Sequence, residues 1–349
     1  MIKYIGSKRR LVPVLGDLLQ RSGAKTALDL FTGTTRVAQE FKQRGATVTT
    51  VDTARYSEMY AQCYIATDKH DVDQRELSDA VAELNALPPT EGYFTDTFCV
   101  QSRYFQPKNG ARVDAIRDHI EDNYKGTPLF PILMVSLMDA ADRVDSTTGV
   151  QMAYLKQWAT RAHKDLELRV PELLPGSGHA VRGSAMELAS ELGHFDIAYL
   201  DPPYNQHRYF TNYHIWETLV AWDAPEHYGI ACKRIDSRDA ETKSVFNKKR
   251  EMPVALRQVI ADVDAEIVVL SYNNESWVSV DELHDVCSVH GTVEMLEFDS
   301  KRYVGAQIGI FNPSGDKVGE VSHLRNLEYV AVCGEPSAVR MITKGLQRR

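Results

Sequence analysis

Short apolar runs and stretches of helical periodicity alternate at both ends of this chain. TALDLF (26–31) is a short apolar run. In TGTTRVAQEFKQRG (32–45) Val37, Ala38 and Phe41 recur at helical spacing, and Gly45 supplies a stop. TVTTVD (47–52) is β-branched and ends on Asp52. The pattern predicts strand, turn, helix, strand: a βαβ unit. Residues 55–178 read differently. DVDQRELSDAVAELNAL, NGARVDAIRDHIEDNY, FPILMVSLMDAADRV and VQMAYLKQWATRAHKDLEL are four helix candidates, punctuated by Pro88-Pro89, Pro107 and LLPGSGH. After residue 180 the short apolar runs return as FDIAYL, EIVVLSY, VEMLEF and YVAVCG, with FTNYHIWETLVAW and VALRQVIADV as helices between them.

Strands alternating with helices predict an α/β fold with a mostly parallel sheet covered on both faces. The sheet starts near residue 26, breaks for a helical module and finishes after 180. Ligands of such sheets bind beyond the carboxyl ends of the strands. The unusual residues fall at those ends: Gly33 after the first strand, Asp52 on the second, Asp201-Pro202-Pro203-Tyr204 on a third and Ser271-Tyr272-Asn273 on a fourth.

Composition changes this picture little. The chain has 349 residues, 43% hydrophobic and 25% charged, enough apolar material for a full core. No run of about 18 apolar residues predicts a membrane span, and the N-terminus has no apolar signal region. The five scattered cysteines form no CxxC pair, so reduced thiols in a cytoplasmic protein are expected. The eleven histidines show no ligand spacing, and no metal is expected. A net charge of −8 argues against a chain coated in nucleic acid, but a local basic face suffices for an enzyme that acts on it. Lys3, Lys8, Arg9 and Arg10 are one candidate run; Lys243, Lys248, Lys249 and Arg250 are another. Each is equally a solvated surface.

Two stretches carry candidate chemistry. In DLFTGTTRVA (29–38) a glycine between strand and helix lets backbone approach a ligand, and Asp52 at the next strand end can accept the hydroxyls of a ribose. The stretch has one glycine only, so it is also readable as a plain βα turn. In Asp201-Pro202-Pro203-Tyr204 the prolines stiffen the chain. The Asp201 carboxylate and the Pro202 carbonyl are then two acceptors with no backbone donor nearby. They suit an –NH2 group with two hydrogens to give, and Tyr204 offers a ring on which a planar base could stack. A proline-stiffened turn with a capping aspartate is the structural alternative.

KYIGSK (3–8), DLFTGTTRVA and LDPPY, in that order, resemble the D12 class of adenine-specific (N6) DNA methyltransferases. DPPYNQHRYFTNYHIWETLVAWD, SYNNES, KRY (301–303), YFQPKNGARVDAIRDHI and VQMAYLKQW resemble its type IIS modification-methylase branch. The resemblance implies a Rossmann-like sheet that uses S-adenosylmethionine. Residues 1–54 and 179–349 would form the catalytic domain and 55–178 a helical target-recognition domain. Tyr4 and Lys8 would line the methionine end of the cofactor, Phe31 and Gly33 its pocket, and Asp52 would hold the ribose. Asp201 and Pro202 would take the hydrogens of adenine N6, with Tyr204 stacked on the extruded base. Double-stranded DNA is the implied partner, a cognate restriction endonuclease a further one. Two positions depart from the family pattern: Thr35 stands where a second loop glycine is usual, and Ser184 where an acid is common. The residues leave three other readings open. These are an RNA adenine methyltransferase, a DNA cytosine-N4 methyltransferase, and an inactive nucleic-acid-binding protein of the same fold.

Overall fold

Seven strands form one sheet in the computed structural model, which describes every residue except 1, 7, 275, 302–309, 312–316, 320–324 and 347–349. They are β1 (Thr26–Asp29), β2 (Thr47–Asp52), β3 (Gly178–Arg182), β4 (Phe195–Leu200), β5 (Ala265–Asn273), β6 (Thr292–Lys301) and β7 (Arg325–Gly334). The spatial order is β3-β2-β1-β4-β5-β7-β6. The first five are parallel neighbours, with Leu28 opposite Thr49 on one side and Ala198 on the other. β7 runs antiparallel to both β5 and β6, with Val330 opposite Ser271 and Leu296.

Both faces of the sheet are covered, which is why its strands read as continuous apolar runs. Side chains alternate between the faces. Ile197 and Ile267 join a core with α1 (Val12–Ser22) and α2 (Arg36–Gln43), whereas Ala198 and Val268 join one with α8 (Met252–Asp262) and α9 (Val280–Cys287). Between β2 and β3 come α3 (Arg55–Ala61), α4 (Gln74–Ala86), α5 (Pro107–Tyr124) and α6 (Phe130–Arg143). Their buried residues, such as Phe94, Phe105, Ile116 and Leu137, belong to the same apolar cluster as Leu15, Phe41 and Tyr199. Helix α7 (His214–Ala221) follows the β4 corner, and α10 (Pro336–Thr343) closes the described chain. All five cysteines are buried and free. Among the described residues no helix is long and apolar enough to cross a membrane.

Two helix expectations fail. Residues 150–168 form turns and extended backbone, with one 3-10 turn at Thr160–His163. Gln151 explains this. Its carbonyl accepts from Tyr104 Oη (2.7 Å) and bonds the His214 ring, its N–H donates to Asn212 O, and its side-chain oxygen accepts from Ile215 N. Backbone groups committed to tertiary partners are not free for an intrahelical ladder. The 210–222 helix is broken at Tyr213, whose φ of −127° leaves helical space and divides Tyr209–Asn212 from α7.

Candidate active site and cofactor pocket

The carboxyl ends of β1, β2 and β4 open onto a cavity of about 590 Å³. Tyr4, Lys8, Phe31, Gly33, Asp52 and Asp201 all line it. Pro202 and Tyr204 do not: both are buried beside it, and Pro203 is the corner proline on the wall. Ser184 lines the cavity too, and its hydroxyl caps the short helix Ala185–Leu188 by accepting from Met186 N. The segment 240–247 lies across the far side. There Phe246 packs edge-on against Phe31 (5.1 Å between centroids), and Asn247 Nδ2 donates to the carbonyls of Asn205 and His207.

The β1–α2 loop is clasped by Asp52. Gly33 N donates to Asp52 Oδ2 (2.9 Å) and Ala54 N to Oδ1 (3.0 Å). Burial raises the Asp52 pKa and these N–H groups oppose the rise. Gly33 has φ +52°, and a Cβ there would sit 3.1 Å from the Tyr4 ring. Thr35 has φ 62° and ψ 16°, the left-handed conformation in which glycine is at ease. The departure from the family pattern therefore changes the side chain and keeps the glycine backbone. Thr35 is fully buried and its Oγ1 accepts from Gln39 Nε2 (2.8 Å), a bond that offsets part of a left-handed cost of about 1–2 kcal/mol. Thr35→Gly trades that strain for a lost hydrogen bond and a more flexible unfolded chain. It is expected to stay within about 1 kcal/mol of wild type in urea unfolding. Thr35→Val keeps the strain, loses the bond and should cost about 1 kcal/mol more.

At the β4 corner the Lys8 ammonium lies 3.1 Å from Asp201 Oδ1, 3.4 Å from Glu328 Oε2 and 5.3 Å from the centre of the Tyr204 ring. Burial works against the Lys8 charge, but Asp201, Tyr204 and Glu328 override it and hold its pKa well above the usual lysine range. Burial pushes the Asp201 carboxyl up to about 6, against the pull of Lys8. Tyr204 Oη accepts from Asn273 Nδ2 (3.0 Å), so the end of β5 fixes the ring. Asn273 belongs to SYNNES, of which Glu275 lies outside the described residues, as do Arg302 and Tyr303 of KRY.

Tyrosines pack around the N-terminal segment. Tyr4 stacks on Tyr213 (4.8 Å, 15°) and contacts Tyr56 and Tyr209, while Tyr213 Oη accepts from Ile5 N. Tyr213 and His214 are core residues; Tyr209 and Phe210 face the cavity.

Three buried or half-buried acids near the site escape a reading of the sequence: Asp29, Glu217 and Glu328. Asp29 carried a signal, since it ends an apolar strand as Asp52 and Asp201 do. One of its oxygens accepts from Thr32 Oγ1 (2.9 Å), and the other has no hydrogen-bond partner among the described residues. Burial, opposed by Thr32 and reinforced by Asp201 and Asp52, pushes it to about 7.

Several basic and amide residues outside the cavity are committed to partners within the protein. Asn109 is buried and bonded to Lys164 O and Leu166 N, Arg112 donates to Leu87 O, and Arg161 pairs with Asp145. Lys108 pairs with Asp165, and Lys3 with Asp142 and Asp145. Arg103 lies over the Trp158 ring and donates to Lys156 O. Arg9, Arg10, Lys248, Lys249 and Arg250 are exposed.

A seven-stranded sheet in this order, its one antiparallel strand set between β5 and β6, with a cavity over β1, β2 and β4, is a Rossmann-like fold with its ligand site at the carboxyl ends of the strands, and the family match makes it that of an S-adenosylmethionine-dependent methyltransferase. The chain belongs to the D12 class of N6 adenine-specific DNA methyltransferases, whose family model matches residues 4–286. It is similar to the type II methyltransferase M.NlaIII of Neisseria lactamica, 29% identical over 338 residues, which cover 93% of this chain and 98% of that one. The modification methylase StsI of Streptococcus sanguinis is 30% identical over 324 residues, covering 86% of this chain and 49% of its own. M.FokI of Planomicrobium okeanokoites is 27% identical over 315 residues, covering 84% and 48%. The chain thus spans about half the length of the latter two. Among the substrates left open by the sequence, the family selects adenine in DNA.

Proposed function

We propose that this protein methylates the N6 amine of an adenine at a specific site in double-stranded DNA, as the modification partner of a cognate restriction endonuclease in the cytoplasm. The observation that carries this reading is the Asp201 carboxylate, held by Lys8 on the wall of the same cavity that Asp52 and Gly33 line. The cavity fits the cofactor. Asp52 keeps lone pairs beyond its two N–H donors for sugar hydroxyls, Phe31 is an apolar wall, and 590 Å³ is ample for a nucleoside with an amino-acid tail. When bound, S-adenosylmethionine supplies a methyl group activated on a sulfonium.

What the chain contributes is positioning and charge. The amine of adenine is a poor nucleophile because its lone pair is delocalised into the ring. Asp201 and the Pro202 carbonyl accept its two hydrogens and draw that lone pair out of conjugation. An amine inside a duplex is out of reach, so the base must be flipped from the stack. The Tyr204 ring is covered by the Lys8 ammonium in this structure, so a base that stacks on Tyr204 replaces a cation–π contact. Residues 55–178 are proposed to read the target, with the half-buried Arg103 beside Trp158 as one contact and the exposed 248–250 basic run as a phosphate contact.

Expression in a methylation-free host, followed by base-resolution mapping of modified adenines on the plasmid, tests this reading. N6-methyladenine within one short recurring site is expected. Unmodified DNA, with purified protein also failing to bind S-adenosylhomocysteine, would leave only an inactive nucleic-acid-binding protein.

A further inference from the structure

We propose that Arg55 and Glu217 form the subsite for the zwitterionic amino-acid end of the cofactor, Glu217 taking the α-ammonium and Arg55 the α-carboxylate. The inference rests on the methyltransferase reading above and assigns residues that neither the motifs nor the family pattern single out.

Glu217 sits on α7, is 1% exposed and lines the cavity. A carboxylate so placed requires partners, because an uncompensated buried charge is costly. Its Oε2 lies 3.7 Å from Arg55 Nη1, where α7 packs against the start of α3. Oε1 has no hydrogen-bond partner among the described residues. One oxygen therefore faces the Arg55 guanidinium, and the other is left for a donor that enters the cavity. Burial raises this carboxyl to about 7, against the pull of Arg55, and an incoming cation would favour its charged form.

The surroundings select the ligand. Arg55 also lines the cavity and its side chain is 41% exposed, so its remaining donors are free to meet an anion. A cation and an anion side by side match the two charges of an α-amino acid. The Lys8–Asp201 pair offers the same signs, but Lys8 is already shared between two carboxylates. Asp29 also has an orphaned oxygen, but the charged groups that shift it are the like charges Asp201 and Asp52. The pair is also close to the N-terminal segment: Tyr56 follows Arg55, and both Tyr56 and Tyr213, one turn before Glu217, contact Tyr4.

Calorimetric titration of the whole protein with S-adenosylhomocysteine and with 5′-methylthioadenosine, which lacks the amino-acid end, tests the assignment. Wild type should prefer S-adenosylhomocysteine. Glu217→Gln keeps the size and an acceptor oxygen but loses the charge. It should narrow that preference about tenfold with 5′-methylthioadenosine affinity unchanged. Arg55→Gln, on a more exposed side chain, should narrow it similarly and stands in if the Glu217 variant does not fold. An unchanged preference, or equal weakening of both nucleosides, overturns the subsite and leaves Glu217 as the ion-pair partner of Arg55 only. Failure of wild type to bind either nucleoside overturns the methyltransferase reading itself.

Discussion

Asp201→Ala is expected to lower kcat about a thousandfold or more while S-adenosylhomocysteine affinity falls less than about tenfold. The carboxylate is one of two acceptors for the reacting amine, so its loss acts on the chemical step. The cavity walls at Phe31, Gly33 and Asp52 are untouched. The variant also leaves Lys8 with Glu328 as its remaining carboxylate partner at 3.4 Å. Single-turnover methylation of a duplex containing the mapped site separates transfer from binding. Transfer within tenfold of wild type would remove Asp201 from the mechanism.

The same ion pair governs pH dependence. Asp201 is a strong, acceptor-only group when ionised and turns one oxygen into a donor when protonated, and burial sets its carboxyl near 6. The acid limb of kcat/KM should therefore fall near pH 6, activity rising as pH climbs through it. Lys8 pulls this pKa down, so Lys8→Gln should move the limb upward by about one pH unit or more. Asp29 titrates in the same region, but Lys8 is not among the groups that shift it. A limb that stays put in Lys8→Gln therefore belongs to another acid. The stability effect has the opposite sense. A carboxyl raised from 3.8 to about 6 binds protons more tightly folded than unfolded, so its contribution to stability declines across that window as pH rises.

The positions of the cofactor loop, Asp52 and the β4 corner were legible because acids, glycine and proline interrupt strands that are otherwise apolar on both faces. The ion pairs joining them were not. Lys8 and Asp201 meet only through the sheet order, and Glu328 sits in a strand whose pattern is unremarkable up to that point. Glu217 was hidden inside a helical pattern, where one acid reads as surface. It is buried because α7 packs on the start of α3. Periodicity misled at 150–168, where Gln151 serves four tertiary partners and the backbone gives up its helix to do so. Thr35 shows what residue type alone leaves open: it departs from the family's loop glycine, yet the backbone there keeps the left-handed turn.

Asp52→Ala should reduce S-adenosylhomocysteine affinity about a hundredfold and lower folding stability by about 1–3 kcal/mol. Two losses combine. The ribose reading removes an acceptor from the sugar hydroxyls, and the structure adds that the same carboxylate holds Gly33 N and Ala54 N. Without it the β1–α2 loop loses its tie to β2, and Gly33, at φ +52° against the Tyr4 ring, has less to hold it in place. Asp52→Asn tests the tie directly. An amide keeps one acceptor but turns an N–H towards the second donor, so it should recover only part of the stability. Urea unfolding reads the tie and calorimetry reads the sugar. In contrast to Asp201→Ala, kcat of Asp52→Ala should recover substantially at saturating cofactor, because the residue binds and shapes the loop and does not touch the amine. Affinity within about tenfold of wild type would place the ribose elsewhere in the cavity, with Asp52 serving only as the clasp.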